Sequence, residues 1–464
     1  MSLLSFFYPI IRYFLLFGVF LFRYLGFNLA PCINNNIKSK NIFTTIVGKN
    51  GTGKSRLLES IINEFIIDSE LTHLSIKYSP TNIIAVSISP FDKFPFSLRR
   101  EEENEYYSYL GLKGLYSQDF SRSYMSKIVY SLIESILNDS NRIHELINVL
   151  NYLGYSEIFD LTFEIEPEWR TLIRKYNESL ANDTHQDIKE LFVTLLNNQP
   201  KRRFYRFFFE NDKDSLTNNN IDHALDILFK MQDLQPRPLR EFNLQLTKEG
   251  LVWSHELIQI KDNLLFMLDS GILKLKKVVL QKKDRDEPQL ISEASSGEQS
   301  VIMSILGIAS KIQNGSLICI DEPEICLHPS WQEKYIELIT HTFKDYKGCH
   351  FLIATHSPQI ISKLENQNCY VMTMNNGNLI EASSLNNKSI DFQLAHVFKS
   401  PGYKNEYLTR ELISLITLIA EGKGQEELAS PKIEEILALK DVIDDEDPVK
   451  ELIRMVESVK KELK

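Results

Sequence analysis

Eight residues, Gly48-Lys49-Asn50-Gly51-Thr52-Gly53-Lys54-Ser55, constrain this chain more than any other stretch. They follow the apolar run Ile42–Val47, which reads as a buried β-strand. They precede Ser55–Ile67, where Leu57, Leu58, Ile61, Ile62 and Phe65 recur at helical spacing. Glycines at a strand-to-helix turn let backbone N–H groups converge on phosphate oxygens, and the helix turns its positive N-terminal end toward them. Gly48, Asn50, Gly51 and Gly53 are therefore expected to shape a nucleotide cradle. Lys54 is expected to supply the charge opposite the β- and γ-phosphates of ATP, and Ser55 a hydroxyl ligand for Mg2+.

Three further stretches follow in a fixed order. Leu317–Ile320 is a short apolar run ending in Asp321-Glu322. A strand that delivers two adjacent carboxylates suits holding Mg2+ through its water shell, at Asp321, and polarising an attacking water, at Glu322. Before it, Ala294-Ser295-Ser296-Gly297-Glu298 opens helical text from Gln299 to Ala309. Taken alone, this reads as a helix N-cap. A serine hydroxyl, a small glycine and a helix N-terminus also make a second phosphate cradle, with Ser295 and Gly297 as its binding residues. After the acidic pair, Phe351–Ala354 ends in Thr355-His356-Ser357-Pro358, and a histidine there can hydrogen-bond a γ-phosphate.

In this order the four motifs resemble those of ABC-type ATPases of the SMC/RecF/OLD group. Ala294–Glu298 resembles the signature loop, and His356 stands where the switch histidine does. Within that group the chain is similar to the stand-alone ATPases of bacterial anti-phage systems, such as the Septu and retron-associated ATPases. The resemblance covers residues 42–95 and 264–375. It implies an α/β P-loop ATPase lobe whose signature loop completes the ATP site of a second copy, so that a homodimer or higher homo-oligomer forms through composite sites. It further implies that Glu322–Pro329 faces the opposite subunit, and that the partner is an effector nuclease, HNH-type being one form. DNA or a retron RNA–DNA hybrid would be a further partner. The competing reading is a RecF- or SMC-like repair ATPase acting directly on DNA. One departure stands out: Ser87–Phe96 holds no glutamine where the resemblance expects a Mg2+- and γ-phosphate-sensing one, leaving Ser89 and Asp92 as replacements.

The surrounding text supplies the organisation. Residues 1–95 read as the first half of the lobe and 96–257 as a large helical insertion. Helical periods are expected at Tyr124–Leu137, Ile143–Leu153, Ile188–Leu196 and Ile221–Met231. Residues 258–400 return to the lobe, with β-like runs at Leu264–Leu268 and Val278–Leu280, and 401–464 form a helical tail. The insertion has neither a sustained heptad repeat nor a C-x-x-C hook, which excludes an SMC-style coiled-coil arm.

Composition narrows the partners. Net charge is -10, so a whole-surface grip on nucleic acid is excluded. Lys201-Arg202-Arg203-Phe204-Tyr205-Arg206 is the one basic–aromatic cluster; it reads as a solvated helix face, the alternative being a patch that binds a phosphate backbone and stacks bases. The five cysteines are scattered, as in a reducing cytoplasm, and offer no zinc spacing. The apolar stretch Leu3–Phe27 is interrupted by Pro9, Arg12 and Arg23 and reads as buried strands or a helix of the lobe, with a membrane-associated anchor or a targeting signal as the alternatives. In the tail, Glu421 and Asp445-Glu446-Asp447 only faintly match TOPRIM nuclease motifs and read as solvated helix positions.

Overall fold

A computed structural model of the chain describes residues 15–16, 19–24, 27–32, 40–67, 80–96, 106–113, 120–181, 188–197, 208, 218–233, 241–254, 258, 261–285, 287–364, 367–375, 377–385, 387–428 and 430–462. The basic cluster at 201–206 and the start of the apolar N-terminus lie outside them. Two compact units emerge. One comprises 1–114, 296–304 and 312–464; the other comprises 115–295 and 305–311.

The first unit carries a three-stranded antiparallel sheet of β1 (Leu15–Leu16), β2 (Val19–Tyr24) and β3 (Phe27–Cys32), so the apolar N-terminus holds strands. Its principal sheet contains β4 (Ile42–Val47), β5 (Ile83–Ser87), β6 (Tyr107–Leu110), β12 (Leu317–Asp321), β13 (His350–Thr355), β14 (Cys369–Thr373) and β15 (Leu379–Glu381). Their order is β15-β14-β4-β13-β12-β5-β6. All neighbours run parallel except β15, which pairs antiparallel to β14 at the edge. β4, β5, β12 and β13 are buried at every position, which explains their largely apolar text.

The helix Lys54–Ile67 covers one face of this sheet. Leu58, Ile61 and Ile62 are fully buried in a cluster with Ile46, Leu317 and Leu352. Each such side chain stabilises by about 1.5–3 kcal/mol. A charge at Ile61 would therefore loosen the helix whose first turn carries Lys54 and Ser55. The tail helices Glu406–Ala420, Pro431–Leu437 and Pro448–Glu462 build a second core within this unit, with Leu408, Leu412, Ile436, Ile453 and Val456 at its centre.

The second unit contains the four expected helices, at Phe120–Asn138, Arg142–Tyr152, Ile188–Asn197 and Asn218–Asp233. It also contains a five-stranded antiparallel sheet of β7 (Tyr155–Ile165), β8 (Glu241–Thr247), β9 (Gly250–Trp253), β10 (Leu273–Lys282) and β11 (Pro288–Leu290), in the order β11-β10-β7-β8-β9. β7, β8 and β9 fall inside the stretch read as helical. β7 alternates buried and part-exposed residues over much of its length, and its neighbours are strands far away in sequence, so the local text did not announce it. Leu264–Leu268, expected as β-like, is a helix, Leu264–Asp269. Five apolar residues fit either form, and here Leu264 and Met267, three apart, are the buried pair.

Candidate functional site

Strand order places the motifs. β13 lies between β4 and β12, with Thr355 opposite Val47 and Ala354 opposite Asp321. Asp321 in turn lies opposite Ser87 of β5. The turns after β4, β12, β13 and β5 therefore share one carboxyl edge of a parallel sheet, where α/β proteins place ligands. Gly48–Ser55, Asp321-Glu322 and His356 meet there, although about 300 residues separate Lys54 from His356.

The cradle has the backbone its sequence requires. Gly51 and Gly53 adopt φ of +79° and +92°, which disfavour any side chain. A Cβ on Gly48 would come within 2.7 Å of Thr52 Oγ1 and 3.0 Å of Met374 Cβ. Asn50 is exposed in the turn. Lys54 is buried and donates to the Gly48 carbonyl at 3.0 Å, and its Nζ lies 2.6 Å from His356 Nε2. Burial lowers the Lys54 pKa, while Glu322, Glu324 and Asp321 oppose that shift. Burial and Lys54 in turn lower His356, so its imidazole is held toward the neutral form.

Ser55 Oγ donates to Asp321 Oδ1 at 3.0 Å. The Asp321 carboxyl is pushed up to about 7, chiefly by burial; the Ser55 hydroxyl opposes this, and Glu322, Asp92 and Glu324 add to it. A hydroxyl and a buried carboxylate, in the field of three more carboxylates, make a donor set that favours a hard cation. These residues thus fit Mg2+.

Glu322 follows β12 with a left-handed backbone, φ +49°, and its carboxylate lies 3.5 Å from His356 Nε2. Such a conformation is costly for a non-glycine residue and marks a constrained turn. Its N–H continues the ladder to the Ala354 carbonyl at 2.9 Å, so the strain begins where the strand ends. Cys326 closes the turn with a second left-handed residue, φ +66°.

The helix Ser296–Lys311 begins at the second cradle. Ser295 is exposed just before it, and Gly297 is buried in its first turn. A Cβ on Gly297 would lie 2.9 Å from the Cys326 carbonyl oxygen, so glycine permits this close approach of helix and turn. Both candidates to replace the absent glutamine, Ser89 and Asp92, are already engaged. Ser89 Oγ accepts from Phe91 N–H at 3.2 Å. Asp92 accepts from Tyr109 Oη at 2.6 Å and from Phe94 N–H at 3.0 Å, and pairs with Lys113 at 3.0 Å.

Two contributors escaped the sequence reading. Thr355 Oγ1 donates to Glu324 Oε2 at 2.8 Å, and His356 N–H donates to Glu324 Oε1. Ser357 Oγ donates to Gln332 Oε1 at 2.7 Å, and Gln332 Nε2 donates to the Leu327 carbonyl at 2.9 Å. The second carboxylate of Glu-Pro-Glu was the available signal for Glu324. Asp445 and Asp447 of the tail make structural contacts. Asp445 pairs with Lys450 at 2.9 Å and Arg454 at 3.2 Å, and buried Asp447 accepts from Lys404 N–H at 2.8 Å and Val449 N–H at 2.9 Å.

The parallel sheet, the motif order and this converging edge are those of an ABC-type P-loop ATPase lobe. Residues 131–362, half of the chain, match the AAA_21 model, an AAA domain whose description also carries the AbiEii toxin and type IV toxin–antitoxin systems, and the chain belongs to that family. The match spans the signature, acidic and histidine motifs and begins after the P-loop. The chain is 24% identical to the Retron Ec83 probable ATPase of Escherichia coli over 71% of its own length and 66% of the relative's. It is 22% identical to the Retron Vc95 probable ATPase of Vibrio cholerae over 70% of its length and 67% of the relative's. The chain thus spans about two thirds of the curated relatives it matches. Among solved structures, the Smc head domain derived from Pyrococcus furiosus, bound to the C-terminal domain of ScpA, pairs with 74% of this chain and 91% of its own at 12% identity and a TM-score of 0.27. Among the described residues, no helix is long and apolar enough to cross a membrane.

Proposed function

We propose that this chain binds Mg-ATP, closes on a second copy of itself, hydrolyses the ATP between them, and so switches a partner effector in anti-phage defence. The observation that carries the ATPase part is the meeting of Lys54, Ser55, Asp321, Glu322 and His356 at the ends of three adjacent parallel strands. Lys54 would hold the β- and γ-phosphates, and Ser55 and Asp321 the Mg2+, which neutralises charge on the phosphates. Glu322 takes a proton from the attacking water as the water oxygen bonds to the γ-phosphorus. The bond to the bridging oxygen breaks, giving ADP and phosphate. His356 donates a hydrogen bond to the γ-phosphoryl group, whose charge is spread over its oxygens.

Ser295 and Gly297 would close the ATP site of the second copy. The defence assignment rests on the retron names of both relatives, and the effector would be a nuclease encoded separately. The test is ATP turnover by the purified chain beside Lys54→Ala. Turnover is expected from the first and not from the second. Equal turnover by both would remove the P-loop from the activity. Co-purification with a nuclease encoded beside it, lost or gained with ATP, tests the switch.

A further inference from the structure

His356 can serve an ATP site only if its ring is delivered to a fixed place. Its backbone follows the last residue of β13, at a turn where β-ladder hydrogen bonding ceases. Without another partner, the N–H of His356 and the hydroxyl of Thr355 would point into a partly buried turn unsatisfied, at a cost of about 1–3 kcal/mol each.

Glu324 meets both. One carboxylate oxygen accepts the His356 N–H, and the other accepts the Thr355 hydroxyl at 2.8 Å. Thr355 Oγ1 in turn accepts Ser357 N–H at 2.9 Å, so the contact extends across three consecutive residues. The residue so held places its imidazole 2.6 Å from Lys54 Nζ and 3.5 Å from Glu322 Oε1. One backbone donor and one side-chain donor match the two acceptor oxygens of one carboxylate. An amide in their place offers one acceptor oxygen and one donor group. The turn that carries Glu324 is itself braced: Gln332 links the Leu327 carbonyl to Ser357, and Gly297 abuts the Cys326 carbonyl.

We infer that Glu324 is a positioning residue for His356: it accepts both donors of the turn after β13 and so fixes where the imidazole reaches. The inference rests on the reading of His356 as the γ-phosphate contact, but the placement of the ring can be measured without turnover. A misplacement of about 1 Å in such a group can cost about 10²-fold in rate.

The experiment uses the full chain with 13C-labelled histidine, comparing wild type, Glu324→Ala, Glu324→Gln, His356→Ala and the Glu324→Ala/His356→Ala pair. The ring signal absent from His356→Ala identifies His356. Glu324→Ala is expected to move or broaden that signal while leaving the other histidine signals in place. Glu324→Gln, which keeps one acceptor, is expected to move it less. Retention of the other signals and of a cooperative melt shows that the variants fold; Glu324→Gln serves alone should the alanine variant not. In single-turnover ATP hydrolysis, Glu324→Ala is expected to lose roughly 10-fold or more with ADP affinity within about 3-fold of wild type. That loss should vanish in the His356→Ala background. An unmoved His356 signal, or an equal loss in both backgrounds, overturns the inference. Absence of wild-type turnover with a displaced signal would refute the hydrolysis reading and leave the positioning role standing.

Discussion

Ser55 donates its hydroxyl to Asp321 over 3.0 Å, joining the first turn of the P-loop helix to the end of β12 across 266 residues of sequence. Both side chains face a place where a cation would relieve the crowding of carboxylates. Asp321→Asn preserves shape and removes the charge. It is expected to raise the Mg2+ concentration needed for half-maximal turnover by about 10-fold or more, as loss of a charged ligand does. A Mg2+ titration of ATPase activity measures this. An unchanged midpoint would take Asp321 out of the cation site.

Glu322 leaves the strand at a strained φ and approaches His356 at 3.5 Å. Glu322→Gln keeps the volume and loses the proton acceptor. Turnover should fall by about 10²–10⁴-fold, the usual worth of a general base, while ATP binding persists. Lys54→Ala should instead abolish nucleotide binding. Fluorescent-nucleotide titration beside phosphate release separates the two. Glu322→Gln turning over near the wild-type rate would exclude it as the base.

Gly297 leaves no room for a methyl group against the Cys326 carbonyl, 2.9 Å from where the Cβ would sit. Gly297→Ala must displace a backbone atom rather than a flexible side chain. A destabilisation of about 1–3 kcal/mol is expected, as for other overpacked sites. Nucleotide should still bind to the intact P-loop, while turnover drops. Calorimetric melting and nucleotide titration test this, and a variant that melts and turns over like wild type contradicts it.

His350 stands at the start of β13, the opposite end of the strand from His356, with Nε2 2.9 Å from Thr44 Oγ1. Burial pushes its pKa down to about 3. The unfolded chain binds a proton there near pH 6.5, and the folded chain refuses it. The stability held by the neutral ring is therefore complete above about 6.5 and is lost progressively as pH falls toward 3, at up to about 1.4 kcal/mol per pH unit. His350→Gln should flatten the fall in melting temperature between pH 7 and pH 5. A slope equal to that of wild type would contradict this account.

The site was legible where chemistry requires rare residues at fixed spacing. Gly48–Ser55 and Asp321-Glu322 need glycines, a lysine and paired acids at strand ends, and neighbouring strands bring those ends together. β4, β12 and β13 were legible because burial on both faces leaves mostly apolar text. β7, β8 and β9 were not, because a half-exposed strand among helices takes its identity from partners such as β10, more than 100 residues from β7. Leu264–Leu268 failed for a related reason: a five-residue apolar run carries too little periodicity to choose helix over strand. Glu324 lies within the Glu322–Pro329 stretch, yet its role depends on hydrogen bonds to Thr355 and His356 that only the register of β12 and β13 creates.

The central claim is that the signature residues Ser295 and Gly297 act on the ATP of a second copy. ATP turnover per chain, measured across a dilution series beside the sedimentation profile of the same samples, tests it most directly. The account predicts that turnover per chain rises with the fraction assembled. Mixing Ser295→Arg with Lys54→Ala chains, each inactive alone, should restore part of it through one intact composite site. A sample shown to be monomeric, with full turnover independent of concentration, would contradict the shared site.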